Sequence, residues 1–452
     1  MGLEISIEWL TLIMFGSLLL LLMAGLPLAF VTGGLACVFL FVLGDSWQVL
    51  NIVPSRIFPL MTNYQLSAIP LFIFMAAMLE RAGIINEMFD VIYKVLGGVR
   101  GGLAAATIIA STILAAMVGV IGAAVVTMGI IALPAMLKRN YNPEIAMGSI
   151  MAGGTLGILI PPSILAIIYA VVAEQSVGEL FIGAVFPGLL LSGLYVLYVV
   201  VRCTINPALG PAAPIEERIS FVEKIIILSR MSAPISLIVV VLGVIFSGVA
   251  TPVEAAGIGT FGAFIVAAIH RKLDWATIQA ACLTTLKASA MVIWIMFGAT
   301  IFVGLYVLEG GQQFVSDMMQ GLGLGPWGIL ILMQVILVFL GMFLDWVGIL
   351  LLCVPIFVPI VKALGAQAFG LENPDDLVLW FGVLYLVNMQ MSFLSPPFGY
   401  ALFYLRGVAP PEIPMTRIFK AAIPFLMIQI IGLVICMVYP EVIIWLPRLV
   451  YG

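Results

Sequence analysis

The stretch Gly153-Gly-Thr-Leu-Gly-Ile-Leu-Ile-Pro-Pro-Ser163 has a pair of prolines inside an apolar run, and Phe393-Leu-Ser-Pro-Pro-Phe-Gly399 repeats that pair later in the chain. We call these stretches the first and second elbow. Proline lacks a backbone donor and biases the preceding residue away from the helical region. Lipid cannot satisfy the freed main-chain groups, so such breaks persist at membrane depth only where protein, water or an ion covers them. Two elbows, one in each part of the chain, are typical of a secondary transporter built from repeats.

The composition is that of a membrane protein, with 63% hydrophobic and only 9% charged residues. A helix needs roughly 20 apolar residues to span a bilayer. We therefore predict an all-α polytopic membrane protein with about 11–12 transmembrane helices and two re-entrant helical hairpins. The predicted spans are 9–25, 26–44, 68–83, 103–121, 122–137, 180–201, 231–249, 252–270, 280–308, which could be broken, 326–345, 346–363 and 420–446. The hairpins are predicted at about 145–176 and 379–408, around the elbows.

A polar, proline-rich linker at 206–230 divides the chain into halves, 1–205 and 231–452. Several landmarks recur in the same order in both halves and predict an internal repeat, inverted if each half contains an odd number of spans. These landmarks are Pro134 with Pro355, Asn142 with Asn373, the two elbows, Tyr169 with Tyr404, and Pro187 with Pro424.

Other functional classes find little support in the sequence. The chain has neither a His-Glu-x-x-His motif nor a phosphate-binding loop that ends in Lys-Ser or Lys-Thr, and its single histidine, His270, belongs to a basic loop. We therefore expect no enzyme and no cofactor. The net charge of -4 argues against nucleic acid as a partner. The five cysteines are scattered without a Cys-x-x-Cys pair and are expected to be packing residues.

The first elbow offers oxygen ligands for a cation. The glycine-rich approach lets main-chain carbonyls come close to a ligand, and Thr155 and Ser163 add hydroxyls. Oxygen-only coordination at a broken helix suits sodium. A kinked packing helix without a ligand is the alternative.

The second elbow offers polar side chains for a cavity. Ser392, Ser395 and Gly399 lie at the elbow, and Asn388 and Gln390 precede it. Buried amides are costly unless they are paired, so we expect these two to line the same cavity. A structural hydrogen bond between helices is the alternative for each amide.

Three further residues are candidates because of their charge or position. Asp345 lies in an apolar tract, where a carboxylate indicates cation coupling or cavity lining, unless it sits in a loop at a helix break. Thr127 occupies a nearby position in the other half and could add a hydroxyl. Arg406 follows the second elbow and could contact an anionic substrate or extend to the membrane interface.

These motifs resemble those of a known family. The first elbow, Tyr169, Leu180-Phe-Ile-Gly-Ala-Val-Phe-Pro-Gly188 and the Ser-Pro-Pro-Phe-Gly of the second elbow are similar to the large membrane subunit of tripartite ATP-independent periplasmic (TRAP) transporters. The resemblance covers essentially the whole chain. One departure is the helix before the first hairpin, where many members have a Ser-Gly-Ser-rich segment and this chain has only the hydroxyl of Thr127.

The resemblance implies a multi-pass permease of the bacterial inner membrane that works as an elevator, with a scaffold and a moving transport domain. It implies sodium ions as coupling ions and uptake of an organic acid. It also implies two protein partners, a separate small four-helix membrane subunit and a soluble periplasmic substrate-binding protein. A stand-alone ion-coupled carrier of organic anions with the same broad fold is the alternative.

The resemblance also assigns residues to two kinds of site. The sodium sites would include Gly153, Gly154, Thr155, Gly157, Ser163, Thr127 and Asp345. The substrate cavity would include Asn388, Gln390, Ser392, Ser395, Pro396, Pro397, Phe398, Gly399, Pro161, Pro162 and Arg406.

Overall fold

The structure is a computed structural model that describes residues 5–44, 51–119, 121–212 and 220–451. All regular elements in these ranges are helices, and no strand occurs among them. The helices before the linker are α1 (Ile7–Met23), α2 (Leu28–Leu43), α3 (Ile52–Met61), α4 (Ala68–Arg81), α5 (Ile84–Leu96), α6 (Gly102–Val118), α7 (Ile121–Lys138), α8 (Pro143–Thr155), α9 (Ile164–Ala173) and α10 (Val177–Ile205). The helices after it are α11 (Phe221–Leu228), α12 (Ser232–Phe246), α13 (Pro252–Ile269), α14 (Trp275–Leu308), α15 (Gly311–Gly321), α16 (Gly325–Gly341), α17 (Trp346–Leu364), α18 (Pro374–Leu394), α19 (Tyr400–Val408), α20 (Met415–Val438) and α21 (Glu441–Tyr451).

The predicted spans coincide with long apolar helices. Within the described ranges, α7, α10, α13, α14, α17, α18 and α20 are each long and apolar enough to cross a bilayer. Two further spans are possible as bent pairs, one formed by α3 with α4 and one by α11 with α12. The shorter apolar helices α1, α2, α6 and α16 coincide with the remaining predicted spans apart from those of α4 and α12. The chain is therefore a multi-pass membrane protein.

Some boundaries differ from the predictions. The span predicted at 420–446 is two helices, because α20 ends at Val438 and α21 begins at Glu441. Pro440 lies between them and has no amide hydrogen to continue the helix. By contrast α14, predicted to be possibly broken, is continuous over Trp275–Leu308. The helices α3, α5 and α15 were not predicted, since hydropathy over a span-length window does not detect short helices with one apolar face.

Both elbows join two helices into a hairpin. The first hairpin consists of α8 and α9, and the second consists of α18 and α19, which begins at Pro374 rather than near 379. The first arm of each hairpin starts with the same local signal. The side chain of Asn142 accepts a hydrogen bond from the amide of Glu144 at 2.8 Å, and that of Asn373 accepts one from Asp375 at 3.1 Å. Each asparagine is followed by proline at the first helical position, which explains where both helices begin.

The packing around the two hairpins is reciprocal. Helix α8 packs against α6, α7 and α20, while α18 packs against α16, α17 and α10. The second arms also exchange neighbours, because α9 packs on α17 and α19 packs on α7. We call α6 to α10 and α16 to α20 the hairpin group. Helices α2, α4, α13 and α14 pack with one another outside it, and we call them the outer group. The groups meet mainly where α14 contacts α17 and where α4 contacts α6.

Candidate functional site

The first elbow is fully buried and is held by its own polar groups. After α8 the chain makes one tight turn at Leu156–Ile158, passes through a cis bond between Pro161 and Pro162, and enters α9. The Ser163 hydroxyl donates to the carbonyl of Ile158 and accepts from the amide of Ala166. The serine thus caps α9 while it closes the elbow.

The glycines that approach the first elbow allow close packing. A methyl group added to Gly153 would lie 2.8 Å from the Cβ of Ser111, and one added to Gly154 would lie 2.4 Å from a methyl of Val125. The carbonyls of both glycines accept a hydrogen bond from the amide of Leu156. Each carbonyl oxygen has two lone pairs, so this bond leaves it able to bind a ligand.

Each elbow lies against a break between two helices. Between α6 and α7 the chain turns at Gly119, where φ is +60°, and a methyl group added there would lie 3.1 Å from the carbonyl oxygen of Pro162. Between α16 and α17 the ring of Phe343 lies 6.1 Å from the ring of Phe398 in the second elbow. Helix breaks expose main-chain groups. The tertiary structure therefore brings free backbone polar groups together at two places.

A buried polar cluster lies beside the first elbow. The amide of Gln429 in α20 donates to the hydroxyl of Thr155 at 3.4 Å, and Thr155 donates to the carbonyl of Ala152 at 2.8 Å. The hydroxyl of Tyr195 in α10 lies close to both side chains without a hydrogen bond of acceptable geometry. Sequence reasoning selected Thr155 but missed Gln429 and Tyr195. An isolated amide in the apolar α20 was the one available indication.

The second elbow closes in a similar way. The Ser395 hydroxyl donates to the carbonyl of Met391 at 2.7 Å, and a cis bond joins Pro396 to Pro397. Gly399 is required sterically, because a methyl group there would lie 2.6 Å from the carbonyl oxygen of Phe393. The amide of Gly399 donates to the carbonyl of Ser395 at 3.0 Å.

The two amides that precede the second elbow differ in their surroundings. The amide nitrogen of Asn388 donates to the carbonyl oxygen of Gln334 at 2.9 Å and to its side-chain oxygen at 2.6 Å, which joins α18 to α16. Such a bond between helices is the alternative role considered above. Both amide atoms of Gln390 are buried without a hydrogen-bond partner, and so is the hydroxyl of Ser392, which lies against Gly341. Gln390 and Ser392 are therefore the side chains of this elbow that need a further partner.

Asp345 lies at the break between α16 and α17. Its carboxylate caps α17 by accepting a hydrogen bond from the amide of Val347 at 3.3 Å. The phenol groups of Tyr385, Tyr400 and Tyr404, all from the second hairpin, lie within electrostatic reach of it. Within the described ranges no lysine or arginine forms an ion pair with this carboxylate. A partly exposed carboxylate without a cation thus faces the second hairpin.

Two other predicted residues are placed away from Asp345. The hydroxyl of Thr127 in α7 points to the carboxylate of Glu80 in α4, with 3.5 Å between the oxygen atoms. It therefore links the hairpin group to the outer group. The guanidinium of Arg406 donates to the carbonyl of Ile413 at 2.6 Å, which ties the end of α19 to the following loop. The sequence could not show either arrangement, because both depend on contacts made after folding.

Comparison with known proteins identifies the family. The family model described as "Tripartite ATP-independent periplasmic transporter, DctM component" matches residues 15–442. The chain is 33% identical over 396 residues to the C4-dicarboxylate TRAP transporter large permease protein DctM of Pseudomonas aeruginosa, which covers 87% of this chain and 88% of that protein. It is 30% identical over 453 residues to the protein of the same name in Rhodobacter capsulatus, with 97% and 99% covered.

A solved structure supports the fold independently. The YdaH transporter of Alcanivorax borkumensis superposes with a TM-score of 0.63 at 15% identity, over 95% of this chain and 99% of that one. The elbows, the helices and the family match agree over nearly the whole length. The chain belongs to the family of large permease subunits of tripartite ATP-independent periplasmic transporters, the DctM component.

Proposed function

We propose that this permease subunit carries out sodium-coupled uptake of an organic acid across the bacterial inner membrane. The observation that carries the proposal is the meeting of each elbow with a helix break, at Gly119 and Pro162 and at Phe343 and Phe398. Broken helices that face each other at membrane depth are where secondary transporters bind ions and substrates. The relatives above are named for C4-dicarboxylates.

Sodium is proposed to bind at the first elbow. Main-chain oxygens of Gly153, Gly154 and Gly157, with the hydroxyls of Thr155 and Ser163, form an uncharged oxygen-rich region that is buried. Hard cations prefer such ligands. Gln429 belongs to the same region, because its buried side-chain oxygen has no protein partner. The substrate is proposed to bind toward the second elbow, where Gln390 and Ser392 lack partners.

Alternating access is proposed to occur by an elevator movement of the hairpin group against the outer group. The reciprocal packing of α8 and α18 supports two related repeats on either side of the linker. In transporters of this kind one bundle moves against the other around the site. The expected partners are a small four-helix membrane subunit and a periplasmic substrate-binding protein that delivers the substrate.

The proposal is tested by uptake into proteoliposomes that contain this chain and its small subunit. Uptake should require both an inward sodium gradient and the binding protein. Uptake that persists when the binding protein is omitted would favour a stand-alone carrier, and uptake that ignores the sodium gradient would sink the coupling.

A pair of variants tests the ion site. Thr155→Val should raise the sodium concentration for half-maximal uptake by about tenfold, since losing one ligand costs on the order of 1.4 kcal/mol. Thr204→Val is the matched control, because Thr204 bonds only the carbonyl of Val200 on an exposed part of α10. Equal sodium dependence in the two variants would remove Thr155 from the proposed site.

A further inference from the structure

A cavity of about 500 Å³ lies between the end of α1 and the second elbow. Its walls toward the hairpin group are aromatic and consist of Phe343, Phe398, Tyr400 and Phe403. Leu19, Leu22, Met23 and Gly25 form the opposite side. The lining contains no charged residue, so the cavity offers no arginine or lysine to a carboxylate ligand.

Asp345 adjoins this cavity. Phe343, two residues before Asp345, and Tyr400, within electrostatic reach of its carboxylate, both line the cavity. Tyr385 and Tyr404 face the same carboxylate from α18 and α19. The single anionic group at this place is therefore surrounded by aromatic rings and partly exposed.

This combination is suited to an organic cation. The face of an aromatic ring attracts a positively charged group within about 6 Å of its centre, and quaternary ammonium groups are recognised by aromatic cages. A carboxylate nearby adds direct charge attraction, which is strong where water is scarce. A second carboxylate of a ligand would instead be repelled by Asp345.

Resting on the transport function proposed above, we infer that this cavity binds the positively charged group of a zwitterionic substrate, an organic acid that also carries an ammonium or quaternary ammonium group. Asp345 and Tyr400 determine this specificity. The acid group of such a substrate points toward the uncharged polar side chains Gln390 and Ser392 of the second hairpin.

The test compares two small probes, glycine betaine and succinate, by the shift that each causes in the unfolding temperature of the purified full chain at fixed sodium. Glycine betaine has one carboxylate and a quaternary ammonium group, whereas succinate has two carboxylates. Glycine betaine should raise the unfolding temperature in a saturable way, and succinate should not. A shift with succinate alone overturns the inference.

Variants identify the residues. Asp345→Asn and Tyr400→Leu should each weaken the response to glycine betaine by about tenfold or more, while Tyr400→Phe keeps the ring and should change it by less than about threefold. The matched controls are Asp317→Asn on the exposed α15 and Phe261→Leu, whose ring is 68% exposed on α13. Both controls should respond as the unaltered protein does, and an unchanged response in Asp345→Asn overturns the assignment.

A sodium titration without an organic probe separates this inference from a role of Asp345 in sodium binding. If Asp345→Asn abolishes the response to sodium and neither probe shifts the unaltered protein, Asp345 is an ion ligand and the inference is wrong. Failure of the transport function is a separate result, since it would appear as uptake that needs neither the sodium gradient nor the binding protein, with these binding responses unchanged.

Discussion

At the scale of single residues, Gly148 shows how closely the first hairpin packs. A methyl group at this position in α8 would lie 2.3 Å from a ring carbon of Phe425 and 2.6 Å from the carbonyl oxygen of Ala421. Because a backbone oxygen cannot move aside, we expect Gly148→Ala to destabilise the protein by about 1–3 kcal/mol. The measurement is the unfolding midpoint in detergent.

Gly193 provides the control for that substitution. It lies within α10, and a methyl group there would meet nothing within 4 Å. Gly193→Ala should be neutral or stabilise by up to about 1 kcal/mol, because alanine has the higher helix propensity. Equal losses in both variants would contradict a steric cause.

The bond between Asn388 and Gln334 allows a quantitative prediction at the same scale. Removing either side chain interrupts the bond of 2.6 Å, but Gln334→Ala leaves the carbonyl oxygen that Asn388 also contacts at 2.9 Å. A double-mutant cycle with Asn388→Ala should therefore give a coupling of about 1 kcal/mol for the side-chain bond alone. Additive losses would show that the two amides are not coupled.

Several residue roles could be predicted from the sequence, and others could not. The elbow prolines, Ser163 and the two asparagines that cap the first arms act through neighbours a few residues away, so local rules predict their positions. The partners of Thr155 and Asn388 could not be predicted, since Gln429 and Gln334 are distant in the chain and become neighbours only on folding.

At the scale of elements, the last helix is attached to the second hairpin by charge. The guanidinium of Arg448 in α21 donates to one carboxylate oxygen of Asp376 in α18 at 2.8 and 3.1 Å and to Glu441 at 3.2 Å. The Asp376 side chain is only 12% exposed. We expect Arg448→Gln to cost about 1 kcal/mol and to speed hydrogen exchange over 441–451.

Glu441→Gln is the control for the attachment of α21. Glu441 is 65% exposed, so its pair with Arg448 should contribute less than about 0.5 kcal/mol. Added salt should reduce the difference between the unaltered protein and Arg448→Gln, because it screens partly exposed charges. Faster exchange of α21 in Glu441→Gln, equal to that in Arg448→Gln, would contradict the role given to Asp376.

At the scale of the whole molecule, a movement between the two groups of helices can be blocked chemically. Glu80 and Thr127 connect the outer group to the hairpin group. After replacement of the native cysteines, a short cross-link between cysteines at these two positions should abolish uptake, because it fixes one group against the other. Uptake is measured in proteoliposomes before and after reduction or, for an irreversible linker, with and without it.

The control cross-link lies within one group. Arg81 in α4 donates to the hydroxyl of Thr284 in α14 at 3.1 Å, and both helices belong to the outer group. A cross-link between cysteines at these positions should form without loss of uptake. Full activity with the pair at 80 and 127 linked would contradict an elevator movement of the hairpin group as defined above.

The sequence by itself determined the membrane class, the approximate spans and the two hairpins. Hydropathy, paired prolines, glycines and capping residues act over short distances, so their effects can be inferred without knowing the fold. The sequence also carried the motifs by which the family is recognised.

Only the tertiary structure decided what meets at each elbow. It placed the break at Gly119 against Pro162, put Gln429 and Tyr195 beside Thr155, and turned tyrosines of the second hairpin toward Asp345. These contacts join segments far apart in the chain. Their geometry follows from how the helices pack, and no short stretch of sequence contains that information.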